Sequence, residues 1–427
     1  MITMENKQRV KTIAVIFIIA IVLISLITEF LYIFNNKYTY SKLQPEKGVL
    51  TLSQEEIDSN SFHFLIKDWE FYEDALLTPT YFKNQTSLPN MKYVSIGDTE
   101  SAYTSQTKNN TFIGTYRMKI NFPEKEGFYA LEMPQVYSAY ELYINDKLYL
   151  KVGDTHNYKA QIQNRCTFFT ASGETYITIA VKDASGIKAG ITSPPTLGKP
   201  YSINITRAFK FLINNFIMTL IFFGALFSLI LALSGKSNYS YMFFFMCLTY
   251  AVYLNHPLIN LCFSMGGNFS YIFEYFCTYF VYLMVIMLQN RLCNLNKNVS
   301  SISEICGSVF CAIAFVYGIF TPYLSAPLCT FLSTLCNVFE WLAAIYLVAI
   351  GTYAVFNDIK YGRIFLFGNV CFVASLLLYI IQPLYDSIYT DQSVEIGILA
   401  ILGCLYFVYW ASIIDNYRRN IVLDDER

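Results

Sequence analysis

Residues Ala208–Ser234 read AFKFLINNFIMTLIFFGALFSLILALS, a run long enough to cross a bilayer. Crossing needs about 20 largely apolar residues, because a helical rise of ~1.5 Å per residue must cover roughly 30 Å of hydrocarbon. On its N-terminal side lies a polar block, about Asn35 to Ile205, with no comparable stretch, and before that block Thr12–Phe34 is a second run of the same kind. On its C-terminal side six more follow in close order: Tyr241–Phe263, Phe269–Leu288, Ile305–Phe320, Leu328–Phe356, Ile364–Leu384 and Ile396–Ile414. The plan is one span, one globular block and seven spans.

Composition agrees. Of 427 residues 55% are hydrophobic and 14% charged, against roughly 25% charged in a soluble domain, which argues against a single soluble enzyme. The net charge of -1 and a pI near 6.3 provide no field for nucleic acid. The partners expected are membrane lipid and no nucleic acid.

Sidedness follows from cationic loops, which stay in the cytoplasm. With the N-terminus inside, the inner segments hold Lys7, Arg9, Lys11, Lys236, Arg291, Lys297, Lys360, Arg363, Arg418, Arg419 and Arg427. The short outer loops 264–268, 321–327 and 385–395 hold no Lys or Arg and carry Asp386, Asp391 and Glu395. The block 36–205 therefore faces outward from the membrane. The first run is long and lacks a small-x-small cleavage site, so 1–35 reads as a retained anchor. Ten of eleven cysteines sit at or beyond Cys247 and Cys166 is alone outside, so the outer block must be held by its own core rather than by disulfides.

That block alternates with period two. In Phe112–Phe122 one face is Phe112, Gly114, Tyr116, Met118, Ile120 and Phe122; the other is Ile113, Thr115, Arg117, Lys119 and Asn121, expected to be mostly solvated. Tyr176–Lys182 alternates likewise, and Tyr137–Ile144, Asn145-Asp146, Lys147–Val152 reads as a hairpin, since Asn and Asp tolerate positive φ. Several strands between Gly and Pro turns, with no helical pattern of any length, predict a β-sandwich or jelly roll.

The run Asp68-Trp-Glu-Phe-Tyr-Glu-Asp-Ala-Leu-Leu-Thr-Pro, then Gly114-Thr-Tyr-Arg-Met, Tyr129 through Lys147, and Gly190-Ile through Leu197-Gly198 resembles the extracellular jelly roll of bacterial 7TMR-DISM proteins, seven-transmembrane receptors with diverse intracellular signalling modules. The same pattern looks like the sugar-binding domain of β-galactosidase-type enzymes. The order of segments also matches, one hydrophobic segment before the jelly roll and seven helices after it. The resemblance implies an extracellular galactose-binding-like domain over 36–205, a seven-helix bundle over 206–415 and a short cytoplasmic tail over 416–427. It implies a cell-surface receptor whose ligand is a small molecule, carbohydrate or related. Full-length members carry an output module after the last helix. Here the expected partner is a cytoplasmic signalling protein in trans, of histidine kinase or diguanylate cyclase type, or a full-length homologue.

Sugars present C–H faces to aromatic rings and hydroxyls to planar polar groups, so a site needs both. Candidates are Trp69, Arg117, Tyr137, Tyr140, Asn145 and Asp154. Each has a structural alternative: Trp69 follows the alternating Phe62, Phe64, Ile66 and reads as core, Arg117 as a solvated face, Asn145 as a turn residue. Tyr137 and Tyr140 fall on opposite faces, so at most one lines a given surface. With 17 Lys and Arg against 18 Asp and Glu between 36 and 205, charge does not select a ligand.

Ionisable groups inside spans are costly and mark function by default. His256 and Glu274 lie at matching depth near the outer ends of adjacent spans and are expected to pair, with Glu340 and Asn337 fixing helix contacts deeper down. A static bond holding the bundle is the competing reading. No His-Glu-x-x-His, Gly-x-Ser-x-Gly, phosphate loop or Cys-x-x-Cys occurs, so no enzyme, metal site or cofactor is expected. The alternatives are a transporter, which would show two related halves, and a membrane-embedded transferase or hydrolase with an accessory outer domain.

Overall fold

The computed structural model describes residues 4–36, 43–59, 61–84, 90–96, 112–183, 190–234, 239–263, 273–320, 324, 326–381 and 393–425. Its first element is a long helix, α1 (Met4–Asn36). Among the described residues eleven strands follow: β1 (Val49–Thr51), β2 (Phe62–Phe64), β3 (Trp69–Glu73), β4 (Met91–Val94), β5 (Phe112–Asn121), β6 (Gly127–Met133), β7 (Ala139–Ile144), β8 (Lys147–Val152), β9 (Arg165–Ala171), β10 (Glu174–Asp183) and β11 (Thr196–Gly198). They form a seven-stranded sheet, β4-β3-β5-β10-β7-β8 with β1 beside β5, and a four-stranded sheet, β2-β11-β6-β9.

The alternation of β5 explains how the two sheets meet. Phe112, Tyr116, Met118 and Ile120 point inward and are buried, as are Trp69 and Phe71 on β3 and Ile177, Ile179 and Val181 on β10. They share one apolar core with Tyr129, Leu131, Met133, Phe169 and Leu197 of the smaller sheet, so the sheets pack face to face. Gly114 is required at its position: a Cβ there would lie 2.4 Å from the Phe71 ring. The β7–β8 hairpin turns at Asn145 and Asp146, and Asn145 takes φ 51°.

Two short helices interrupt the strands, contrary to an all-strand reading. Ser53 caps α2 (Gln54–Asp58) in a reciprocal box with Glu56, as Ser three residues before Glu favours. The second, α3 (Pro79–Asn84), matters more and is taken up below.

The helical half begins earlier than its apolar run. Lys199 is extended, Pro200 occupies the first turn, and α4 (Pro200–Leu233) grows directly out of β11, because proline at N1 lacks only a hydrogen bond that the helix start does not make. Then come α5 (Ser240–Phe263), a π turn at Phe273–Cys277 continuing into α6 (Thr278–Leu292), α7 (Lys297–Phe320), α8 (Ala326–Phe356), α9 (Gly362–Ile381) and α10 (Ser393–Asp425). The last helix runs on through Asp425, ten residues past the candidate span that ends at Asp415.

Among the described residues six helices are long and apolar enough to cross a membrane: Glu5–Ile33, Pro200–Leu233, Lys297–Phe320, Phe331–Phe356, Gly362–Ile381 and Val394–Asp415. The other two expected spans are helical, one as α5 and one as the π turn with α6. The chain is thus a β plus α, multi-pass membrane protein. Its first helix is part of the bundle: Ala20 and Ile24 are buried against Leu366, Val370 and Ala374 of α9, and Arg9 bonds the Asp358 carboxylate and the Phe356 carbonyl between α8 and α9.

Candidate functional site

The outward face of the larger sheet gathers the polar residues of the strand domain. Register places Glu70, Arg117, Thr178 and Tyr143 in one row across β3, β5, β10 and β7. The next row is Tyr72, Thr115, Ala180, Glu141 and Lys151. Arg117 lies between two rings, its guanidinium 4.3 Å from the centroids of both Phe82 and Tyr176, with Glu70 Oε2 at 3.6 Å. Tyr72 donates to the same carboxylate at 3.0 Å. Two strands away, Glu141 accepts from Tyr143 at 2.7 Å and pairs with Lys151 at 3.0 Å. Small residues, Thr178 and Ala180, form the floor between the two clusters.

This face is not open to water as its sequence pattern predicts. The segment after β3 crosses it as a roof: the Leu77 N–H donates to Thr115 Oγ1 at 2.8 Å, and that hydroxyl donates to the Ala75 carbonyl at 2.6 Å. Phe82 of α3 packs edge-on against Tyr72 at 5.1 Å, and Lys83 reaches Asp146 in the β7–β8 turn. Thr115 and Thr178 are consequently buried. The roof explains why an arginine can sit half-enclosed here: its charge is stabilised by two ring faces and a carboxylate.

Burial pushes the Tyr72 hydroxyl up to about 12, with Glu70 adding to it. Burial likewise raises Tyr143 to about 12, reinforced by its bond to Glu141. Both tyrosines are therefore donors at neutral pH. For Glu141, burial alone raises the pKa, but the bonds from Tyr143, Lys151 and Thr155 outweigh it and hold the carboxyl below its ordinary value. A depressed carboxyl stabilises the fold above its unfolded pKa, and that contribution is lost as pH falls through the folded value. Acid unfolding of the strand domain below pH ~4.3 is thus expected to be shallower in Glu141→Gln than in the parent. Identical acid limbs in proteolysis-monitored titrations would refute the assignment.

The six sequence candidates do not converge. Trp69 has no exposed surface and its indole N–H donates to the Leu65 carbonyl at 2.9 Å. Tyr140 is equally buried in the core. Asn145 makes the hairpin turn, its Oδ1 accepting from the Tyr176 N–H at 2.8 Å. Asp154 holds a tight turn, accepting from the His156 and Asn157 N–H groups at 2.9 and 3.2 Å, which lower its pKa. Arg117 alone lies on the roofed face. Glu70, Tyr72, Phe82, Glu141, Tyr143, Lys151 and Tyr176 were missed. Strand parity hinted at Glu141 and Tyr143, but which strands are neighbours is a long-range fact.

Tyr137 belongs elsewhere. With Ile162 it forms a small apolar cluster against Tyr275, which lies in the π turn at the start of α6. Strand domain and helices also meet at α4, where Ile203 is buried against Phe62 and Ala130 and Arg207 pairs with Glu132 at 3.2 Å. From Tyr275 a stripe descends one face of α6. Tyr279 and Tyr282 are buried edge to face, 5.9 Å apart, and Tyr282 donates to Glu340 of α8. Gln289, two turns further, exchanges amide bonds with Asn369 of α9 at 2.7 and 2.9 Å. Beside it Asn290, Ser303 and Tyr346 join α6, α7 and α8.

Glu340 therefore makes a helix contact, while Asn337 is exposed on α8. The ring of His256 is buried, with Nδ1 2.8 Å from the Tyr253 carbonyl. Its expected pairing with Glu274 lies outside the described residues, since the Glu274 side chain is not among them.

No protein-family model matches the chain, and no curated protein matches it. Among solved structures, a GH2 β-galacturonidase from Eisenbergiella tayi bound to galacturonate is 12% identical over 33% of this chain and 24% of its own, with a TM-score of 0.24. A β-glucuronidase from Faecalibacterium prausnitzii is 15% identical over 33% and 31%, also at 0.24. A β-glucosidase from Kluyveromyces marxianus in complex with glucose is 12% identical over 38% and 19%, at 0.21. The chain spans less than a third of the length of each, and likeness at these scores carries no argument about what it does.

Proposed function

We propose that the chain is a cell-surface receptor. Its two-sheet domain, read as a jelly roll outside the cell, binds a small polar ligand of carbohydrate type on the roofed face around Arg117, and a seven-helix bundle relays the change to a cytoplasmic signalling partner. The observation that carries this reading is the seat of the strand domain on the π turn: Tyr137 and Ile162 pack on Tyr275, the top of a buried tyrosine stripe that ends at Glu340. Single π turns recur at functional positions.

Two further features support it. Cationic residues Arg9, Lys360 and Arg363 occupy the bundle end away from the strand domain, which suits an outer placement of that domain. Glu70 and Glu141 stand three strands apart, about 14 Å at the strand spacing, too far for the ~5–9.5 Å carboxylate pair of a glycosidase. Binding suits this face better than hydrolysis.

The test uses the full chain in detergent against a panel of neutral and acidic mono- and disaccharides. A binding sugar should lose at least about tenfold in affinity, ~1.4 kcal/mol, with Arg117→Gln. It should also change hydrogen exchange in Phe273–Leu292. Tyr275→Ala should keep the affinity and lose that exchange response. Ligand binding that leaves Phe273–Leu292 unchanged in the parent, or solute uptake by reconstituted vesicles, would overturn the receptor reading in favour of an accessory binding domain or a transporter.

A further inference from the structure

The roof over Arg117 has two unlike halves. The first is fastened to the sheet. There the Asp74 N–H donates to the Ile113 carbonyl at 3.0 Å, Leu77 is buried, and Thr115 Oγ1 accepts from the Leu77 N–H and donates to the Ala75 carbonyl. The second half is α3, whose start is closed locally, the Tyr81 N–H donating to the Thr78 carbonyl at 3.0 Å. None of its residues is buried. Side chains hold it down: Phe82 lies edge-on to Tyr72 at 5.1 Å and over the Arg117 guanidinium at 4.3 Å, and Lys83 pairs with Asp146 at 2.5 Å. Lys83 and Asp146 are 63% and 58% exposed, and an ion pair in water contributes little. The Phe82 ring is therefore the main fastening of α3.

We infer that α3 is a strap closing the ligand site, with Phe82 as its latch, competing with the ligand for one face of Arg117. The identity of what enters rests on the receptor reading; the motion rests on how α3 is anchored. Segments with few buried apolar contacts open at the lowest cost, and the hinge is Thr78, since Leu77 before it is bonded to β5 and α3 begins after it. When α3 swings out, Arg117 keeps its place, still stacked on Tyr176 at 4.3 Å and beside Glu70 at 3.6 Å, because both partners belong to the sheet. Its other face, the Tyr72 ring edge and the floor at Thr178 are uncovered together. A sugar then occupies the position that Phe82 leaves, with hydroxyls on the polar row and a C–H face on the rings. While the strap is closed the site is withheld, so the apparent affinity is the intrinsic one reduced by the open fraction.

Opening is read without any ligand, on the full chain in detergent, by labelling Thr178→Cys with a polar maleimide and locating the label at position 178 by peptide mass spectrometry. Thr178 is buried beside Arg117 on the next strand, so the labelling rate follows the open fraction when closing is fast. Adding Phe82→Ala should raise that rate about tenfold, equivalent to ~1.4 kcal/mol, and adding Lys83→Gln should raise it by less. A binding sugar from the panel should bind Phe82→Ala about tenfold more tightly than the parent. Circular dichroism melting shows whether Phe82→Ala folds, and Lys83→Gln, at an exposed position, decides the labelling test if it does not. Equal rates in the parent and both variants would make α3 a fixed wall and overturn the strap, whatever binds. Weaker sugar binding by Phe82→Ala would also overturn it, since Phe82 would then be a ligand contact. Faster labelling in the variants with no sugar bound by any chain would support the strap and refute the carbohydrate receptor instead.

Discussion

Trp69→Ala should cost the strand domain about 3–5 kcal/mol, the usual price of removing a buried aromatic side chain. The indole is fully buried at the start of β3, set edge-on to Tyr116 at 6.4 Å, and its N–H satisfies the Leu65 carbonyl. Truncation leaves a cavity between the sheets and an unpaired carbonyl together. Because whole domains are stable by only about 5–15 kcal/mol, the loss should show as faster proteolysis within residues 62–122 of the full chain, with the helices intact. Trp69→Phe keeps most of the ring volume and loses the hydrogen bond, for about 1 kcal/mol. Alanine and phenylalanine variants equal to the parent would contradict a core role and return Trp69 to the list of ligand contacts.

The second large effect lies in the helices. Gly397 of α10 faces Ser375 of α9 so closely that an added Cβ would lie 1.9 Å from Ser375 Oγ and 2.8 Å from its Cβ. Small residues let helix backbones approach where lipid offers no hydrophobic drive to associate. Gly397→Ala gains about 1 kcal/mol of helix propensity, but overpacking of this kind costs about 1–3 kcal/mol and the serine Cβ cannot swing away. Net destabilisation is expected in thermal melts of the detergent-solubilised chain, and a leucine should do more damage. Adding Ser375→Gly removes both clashing atoms, leaving the Phe372 Cα at 3.1 Å, and should restore the melt. A stabilising alanine, or no rescue by the second change, would show that α9 and α10 are not this close.

Legibility differed by element. The apolar runs and the β5 alternation could be read because burial in lipid or between sheets imposes a local period on the chain. The turn at Asn145 was visible for the same local reason. The roof over Arg117 was not, since α3 has six residues and no period to detect, and its hold on the sheet comes through Thr115, Phe82 and Lys83. The earlier start of α4 was masked by Tyr201, Ser202 and Asn204, polar residues in a first stretch of helix that packs on the smaller sheet through Ile203, Phe62 and Ala130.

Sequence alone established the two materials of this protein, long apolar helices and one alternating strand domain, because hydropathy and side-chain period are properties of neighbours along the chain. Folding in three dimensions determined that Arg117 lies between Phe82 and Tyr176, that Tyr137 meets Tyr275, and that Lys83 reaches Asp146. Each of those pairs depends on strand register or helix packing between distant segments, which no local pattern encodes.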